Sequence, residues 1–133
     1  MKPKEIAEAS IEGLNSNDLE GFMSLFAPDA SFTHMGLPET IEGVEAIRNF
    51  ILETKKIFPD LTIQVDKWIV SSNDVVAEYR SHATHAETGK HMRNFGAFVW
   101  EIHQGRIQHM KDYFDMARLI HQLGPDFVKH RPE

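Results

Sequence analysis

Cysteine is absent from this chain, so no disulfide can staple it and no thiol can act as nucleophile or metal ligand. Basic residues are in the minority, with 14 Lys and Arg against 20 Asp and Glu, a net charge of −6. Nucleic acid and anionic membrane surfaces both call for a basic face, so neither is an expected partner. No apolar run approaches the roughly 20 residues of a membrane span. The opening MKPKEIAEASIEGLN alternates charged and apolar residues and has no apolar signal core, which makes a cytoplasmic location the expectation. Glycine-rich phosphate loops and a Gly-x-Ser-x-Gly elbow are missing as well, so covalent catalysis is not indicated. Proton-transfer chemistry or plain binding remains.

What is present is an ordinary globular balance of 41% apolar and 26% charged residues over 133 positions. That length fits a single domain, residues 1–133, able to bury roughly two thirds of the surface of its unfolded chain. The first half has helical periodicity. Ile6, Ala9, Ile11 and Leu14 recur near helical spacing. Asn17 or Asp18 can cap a second helix carrying Leu19, Phe22, Leu25 and Phe26, which Ala27-Pro28-Asp29 ends. A short strand follows over 30–36. Gly43 precedes a third helix with Val44, Ile47, Ile51 and Leu52 on its apolar stripe, stopped at Phe58-Pro59.

Beyond residue 60 the period changes to two. Four strands are predicted over 61–72, 75–87, 91–103 and 106–115, with Gln104-Gly105 as a tight hairpin turn. ARLIHQLG forms a closing helical turn, and the tail PDFVKHRPE is expected to be loosely held. The fold class is α+β: a cone-shaped, curved antiparallel sheet, built of a four-stranded meander plus a short first strand and covered by three N-terminal helices. A cone has an interior, and ligands belong there.

Alternation sorts the side chains into faces. Ala77 and Tyr79, Phe98 and Trp100, and Met110 and Phe114 are assigned to the concave side, with Ser81 and Asn94 as its few polar companions. Phe32 and His34 join from the first strand. On the last strand Arg106 and Gln108 share the face of Met110, Asp112 and Phe114, whereas Ile107, His109, Lys111 and Tyr113 share the other. Asp112 then lies among aromatic and thioether groups. Desolvation there raises the pKa of a carboxylate, which suits a general base or acid near neutral pH. His34 could share a proton with it or orient a water. The plainer alternative is an Asp bonded to a loop or paired with Arg or Lys, since perturbed carboxylates point to function only statistically. Asp115 precedes ARLIHQLG, where an Asp caps a starting helix. The eight histidines include no His-x-His pair and fit no zinc spacing, so no metal is expected.

The stretches LNSNDLEGFMSLFAPDASF, IEGVEAIRNF, TGK and GRIQHMKDYFDMARLIHQLG stand in an order that resembles the nuclear transport factor 2-like superfamily, over roughly residues 5 to 124. That group includes ketosteroid isomerases, limonene-epoxide hydrolases and SnoaL-like polyketide cyclases. The resemblance implies the cone with its pocket, and a homodimer formed through the outer sheet faces. The C-terminal stretch is similar to that of the cyclases, whose single Asp works as acid/base in an intramolecular aldol closure. It falls on Asp112 or Asp115, and strand parity favours Asp112. The epoxide hydrolases carry Arg-x-Asp and a later RDYFD. Asp112 matches the later Asp, Lys111 stands at its preceding Arg, and Tyr79 and Ser81 stand at Arg-x-Asp. Phe32 and His34 occupy that family's first-strand Tyr and Asn positions. His34 also stands where the isomerases carry their Asp base, and the isomerase oxyanion positions fall near Ser10 and near Gly96 or Ala97.

The expected function is therefore cofactor-independent acid/base chemistry, of cyclase, isomerase or hydrolase type, on a small apolar, polyketide- or steroid-like molecule. Asp112 and His34 are the candidate catalytic pair. Phe32, Tyr79, Ser81, Asn94, Phe98, Trp100, Met110 and Phe114 are the candidate binding residues. The alternative is a non-catalytic ligand-binding or dimerisation module of the same fold.

Overall fold

The structure, a computed structural model, describes residues 1–125. The expectation of a loosely held tail falls, from Asp126 onward, outside the described residues. Two N-terminal helices come first, α1 (Pro3–Asn15) and α2 (Leu19–Met23). The α2 N-cap is Asp18, whose side chain accepts from the Gly21 amide. Then follow β1 (Phe26–His34), β2 (Ile41–Glu42) and α3 (Val44–Ile57). The meander is β3 (Thr62–Ser71), β4 (Asp74–Thr84), β5 (His91–His103) and β6 (Arg106–Phe114), and α4 (Met116–Leu123) closes it.

The strands form one curved, unclosed six-stranded sheet in the order β2-β1-β6-β5-β4-β3. Neighbours in the meander are antiparallel. The β1–β6 pair is parallel, so the sheet is mixed rather than wholly antiparallel. The first strand is also longer than its expected span. Phe26 has left the helix and starts β1, with its ring 5.0 Å from that of Phe22. Pro28 does not break the strand, because the register of β1 on β6 is irregular between Phe26 and Ser31. A residue without an amide proton is tolerated at such a place. Gln104 and Gly105 adopt φ of 50° and 74°, the left-handed pair that a tight hairpin needs.

A bulge corrects the face assignment on β6. The register shifts between Glu101 and Ile102, so Ile102 opposes Ile107 while Trp100 opposes Met110. The extra residue reverses parity. Ile107 turns inward and is fully buried, and Arg106 is exposed. Beyond the bulge the expected parity holds, and Met110 and Asp112 are both buried. On α3 the inward stripe is Ile47, Phe50 and Ile51, whereas Leu52 is 42% exposed.

Two apolar clusters fill the concave side. The larger joins α1, α2, α3 and the sheet around Trp100, Phe22, Ile47 and Met110. The smaller comprises Phe58, Ala83, Met92, Leu119 and Leu123, the last two from α4. α4 is thus a full helix rather than a single turn. Its N-cap is Asp115, whose side chain accepts from the Arg118 amide, as the sequence pattern implied.

Candidate active site

A cavity lies between the two clusters. It has about 90 Å³ of room for water-sized occupants, and about 760 Å³ when its open mouth is counted. One wall is helical, from Phe50, Ile51, Thr54 and Lys55 of α3 with Leu14 of α1. The opposite wall is the sheet, from Phe32 and His34, Ile63, Tyr79 and Ser81, Met92, Asn94 and Phe98, and Asp112 and Phe114. Phe58, Leu61 and Leu119 complete the lining.

Asp112 faces this space from β6 and is 9% exposed. A buried carboxylate needs partners. The Tyr79 hydroxyl donates to its Oδ1 at 2.5 Å from the neighbouring strand but one, across β5. That reach requires the small residue opposite Tyr79. Gly96 is its register partner, and a Cβ on Gly96 would lie 2.5 Å from the Tyr79 ring and hydroxyl. Tyr79 also stacks on Phe98, with ring centroids 4.4 Å apart. Burial, then the nearby Asp112 charge and the hydrogen bond to it, push the Tyr79 phenol far above its ordinary range. Tyr79 is therefore a fixed proton donor.

His34 approaches from β1, where it sits beside Asp112 in the parallel register. Its Nε2 is 3.7 Å from Asp112 Oδ2. Its Nδ1 accepts from the Gly36 amide at 3.0 Å. In the neutral ring that bond leaves the proton on Nε2, the nitrogen turned to the carboxylate. Phe50 and Phe114 hold the imidazole, with centroids 4.9 and 4.7 Å from it. The result is a carboxylate with a phenol donor on one oxygen and an imidazole near the other, on the wall of an apolar cavity. Such a group can take a proton from a bound molecule while a neighbouring N–H or O–H steadies the charge that develops.

Eight of the ten sequence-derived site residues meet at this cavity: Phe32, His34, Tyr79, Ser81, Asn94, Phe98, Asp112 and Phe114. Trp100 and Met110 do not. They are fully buried in the larger cluster, behind the lining. Asn94 is committed to the fold on both sides: its Nδ2 donates to the Asp115 carbonyl and its Oδ1 accepts from the Phe95 amide. The Ser81 hydroxyl has a weak partner, the Met92 sulfur at 3.9 Å, and so remains open to a ligand. Strand alternation alone missed the helical wall. Ile47, Phe50, Ile51 and Thr54 stand at i, i+3, i+4 and i+7, which is the signal that could have placed Phe50 and Thr54 there. Among the described residues no group of three or more His, Asp or Glu could hold a metal ion.

A SnoaL-like domain family model matches residues 7–110. Among curated proteins none matches the chain. Solved structures similar to it include an NTF2-like protein of unknown function from Burkholderia pseudomallei, 24% identical, covering 93% of this chain and 98% of that one with a TM-score of 0.85. IdmH, a candidate polyketide cyclase from Streptomyces antibioticus, is 24% identical over 93% of this chain and 99% of its own, with a TM-score of 0.82. TerC, crystallised with polyporic acid, is 21% identical over 90% and 96%, with a TM-score of 0.80. At these identities the structural likeness bears on the fold. The family match ends before Asp112 and includes His34 and Tyr79.

Proposed function

The chain belongs to the SnoaL-like domain family, and from that premise we propose that it is a cofactor-independent enzyme working by acid/base chemistry on a small apolar molecule held in the cone. The observation that carries this reading is the Tyr79–Asp112–His34 arrangement on the cavity wall. Asp112 is the proton acceptor, acting on a C–H or O–H group next to a carbonyl. His34, with its proton on Nε2, donates to the oxygen where charge collects. Tyr79 holds Asp112 Oδ1, and Oδ2 stands 3.7 Å from His34 Nε2, so carboxylate and imidazole meet the substrate side by side. Phe32, Phe98 and Phe114 pack against a flat ring system, and Ser81 supplies a further hydrogen bond. The polyporic acid in TerC and the cyclase assignment of IdmH are consistent with a cyclic organic substrate.

The test is Asp112→Asn, which keeps the side-chain volume and removes the proton acceptor. A ligand found by thermal-shift screening should be converted by the wild type and bound but not converted by the variant. Equal conversion by both proteins would remove Asp112 from the chemistry.

A homodimer is the second element of the proposal. Phe95 and Tyr113, on the outer sheet face, are 54% and 44% exposed; Ala97 pairs with Tyr113, and Val99, paired with Val76, continues the same face beyond it. An apolar patch of this kind fits a second copy of the same sheet.

A further inference from the structure

One cation stands on the cavity wall, and the acid/base proposal makes no use of it. Lys55, on α3, lines the cavity together with Leu14 and Ile63. It also lines the adjoining surface groove formed with Asn17, Leu19 and Leu52, so it sits at the rim where the cavity meets solvent. Its Nζ donates to the Leu14 carbonyl at 2.6 Å, in the last turn of α1, where the Asn17 amide also donates. An ammonium has three donors, so two are uncommitted by that bond. Among the described residues no carboxylate lies within ion-pair distance of Lys55. The other α3 cations differ: Arg48 pairs with Glu20 and Lys56 with Glu53. Burial alone lowers the Lys55 pKa, so holding its charge there is unfavourable without an anion beside it.

We infer that Lys55 is the specificity residue for the substrate's charge, and that the cavity takes an organic anion, an aromatic or fused-ring molecule whose carboxylate or acidic hydroxyl pairs with Lys55. This rests on the proposed function and narrows its substrate class. His34 is held by Phe50, and Lys55 lies five residues further along the same helix, about 7.5 Å of axial rise, with its Nζ at the Leu14 carbonyl. The anionic group of a molecule reacting beside Asp112 and His34 would therefore lie at the α1 side of the cavity. Asp112 has its own donor in Tyr79, so the two charges of the cavity serve different parts of one ligand: Asp112 the reacting atom, Lys55 the remote anion.

Calorimetric binding of 2-naphthoate and 2-naphthamide, which share a shape and differ in charge, tests this on the full chain. The wild type should prefer the naphthoate by about tenfold, the scale of one charge-assisted hydrogen bond. Lys55→Met should abolish or invert that preference while changing naphthamide affinity by no more than about twofold. Lys55→Arg should retain the preference. In the wild type, naphthoate affinity should fall with rising pH as Lys55 loses its proton, and naphthamide affinity should not; that reading stands even if Lys55→Met fails to fold. Retention of the full preference in Lys55→Met overturns the inference, as does a wild type that binds the two probes equally. Equal binding leaves the cavity and Asp112 reading intact. A wild type that binds neither probe overturns the cavity reading together with the charge assignment.

Discussion

Asp112 and Asp115 are three residues apart, and the fold uses them differently. Strand parity puts Asp112 on the inward face with Met110, and it is buried there at 9% exposure. Asp115 caps α4. Both roles were legible in KDYFDMARLIHQLG, because a strand's period of two and a helix's need for a cap are local rules. The partner of Asp112 was not legible. Tyr79 reaches it across an intervening strand, and only the register that sets Tyr79 against glycine at position 96 allows it. Tyr79→Phe should destabilise the protein by about 1–3 kcal/mol in urea unfolding at neutral pH, because it strips a donor from a buried carboxylate. The pH dependence follows from the raised phenol. A folded pKa above the unfolded value gives stability that is fully present below about pH 10 and declines as pH rises beyond it. Tyr79→Phe should lack that alkaline component, which a denaturation series across the alkaline range would resolve.

At the scale of elements, the expectations that failed are those that tertiary pairing overrides. Phe26 fits a helix by spacing, yet it is claimed by β1, where it stands opposite Ile107. The bulge on β6 inverts the parity of Ile107 and Arg106 and leaves that of Asp112 untouched. Nothing in the alternating pattern marks where a bulge falls, since an extra residue is a property of the pair and not of one strand. The sheet also makes a prediction of its own. Gly96→Ala would put a Cβ 2.5 Å from the Tyr79 ring and 2.6 Å from the Tyr113 carbonyl. It should destabilise the protein by about 1–3 kcal/mol, the cost of overpacking, and it should reduce turnover along with stability because Tyr79 must shift from Asp112. Asp115→Ala should lower stability by about 1 kcal/mol through loss of the α4 cap. Since Leu119 of α4 lines the cavity, ligand-induced thermal shifts should shrink with it.

For the whole molecule, the α+β architecture was readable because helical periods dominate the first half, apart from one short strand, and a period of two runs through the four strands beyond residue 60. The mixed character of the sheet was not, because which edge of the meander takes β1 is decided by the path of the chain through α3 and the meander. The same limit applies to the cavity. Sheet parity supplied one wall, and the helical wall with Phe50, Thr54 and Lys55 came only with the packing of α3 over the sheet. The outer face gives a further expectation. Sedimentation should report a dimer at micromolar concentration, and Ala97→Arg, which places a charge beside Tyr113 and between Phe95 and Val99 on β5, should yield a folded monomer; a wild type that sediments as a monomer contradicts the pairing. The central claim, however, is that Asp112 moves protons in this cavity. Deuterium exchange of the acidic C–H protons of 2-tetralone in heavy water, followed by NMR, reads that capacity without knowledge of the natural substrate. The wild type should accelerate exchange over buffer by about a hundredfold or more, the usual yield of a positioned general base, and Asp112→Asn should return it to the buffer rate. Exchange that is no faster than buffer with the wild type, or equally fast with Asp112→Asn, would contradict the account.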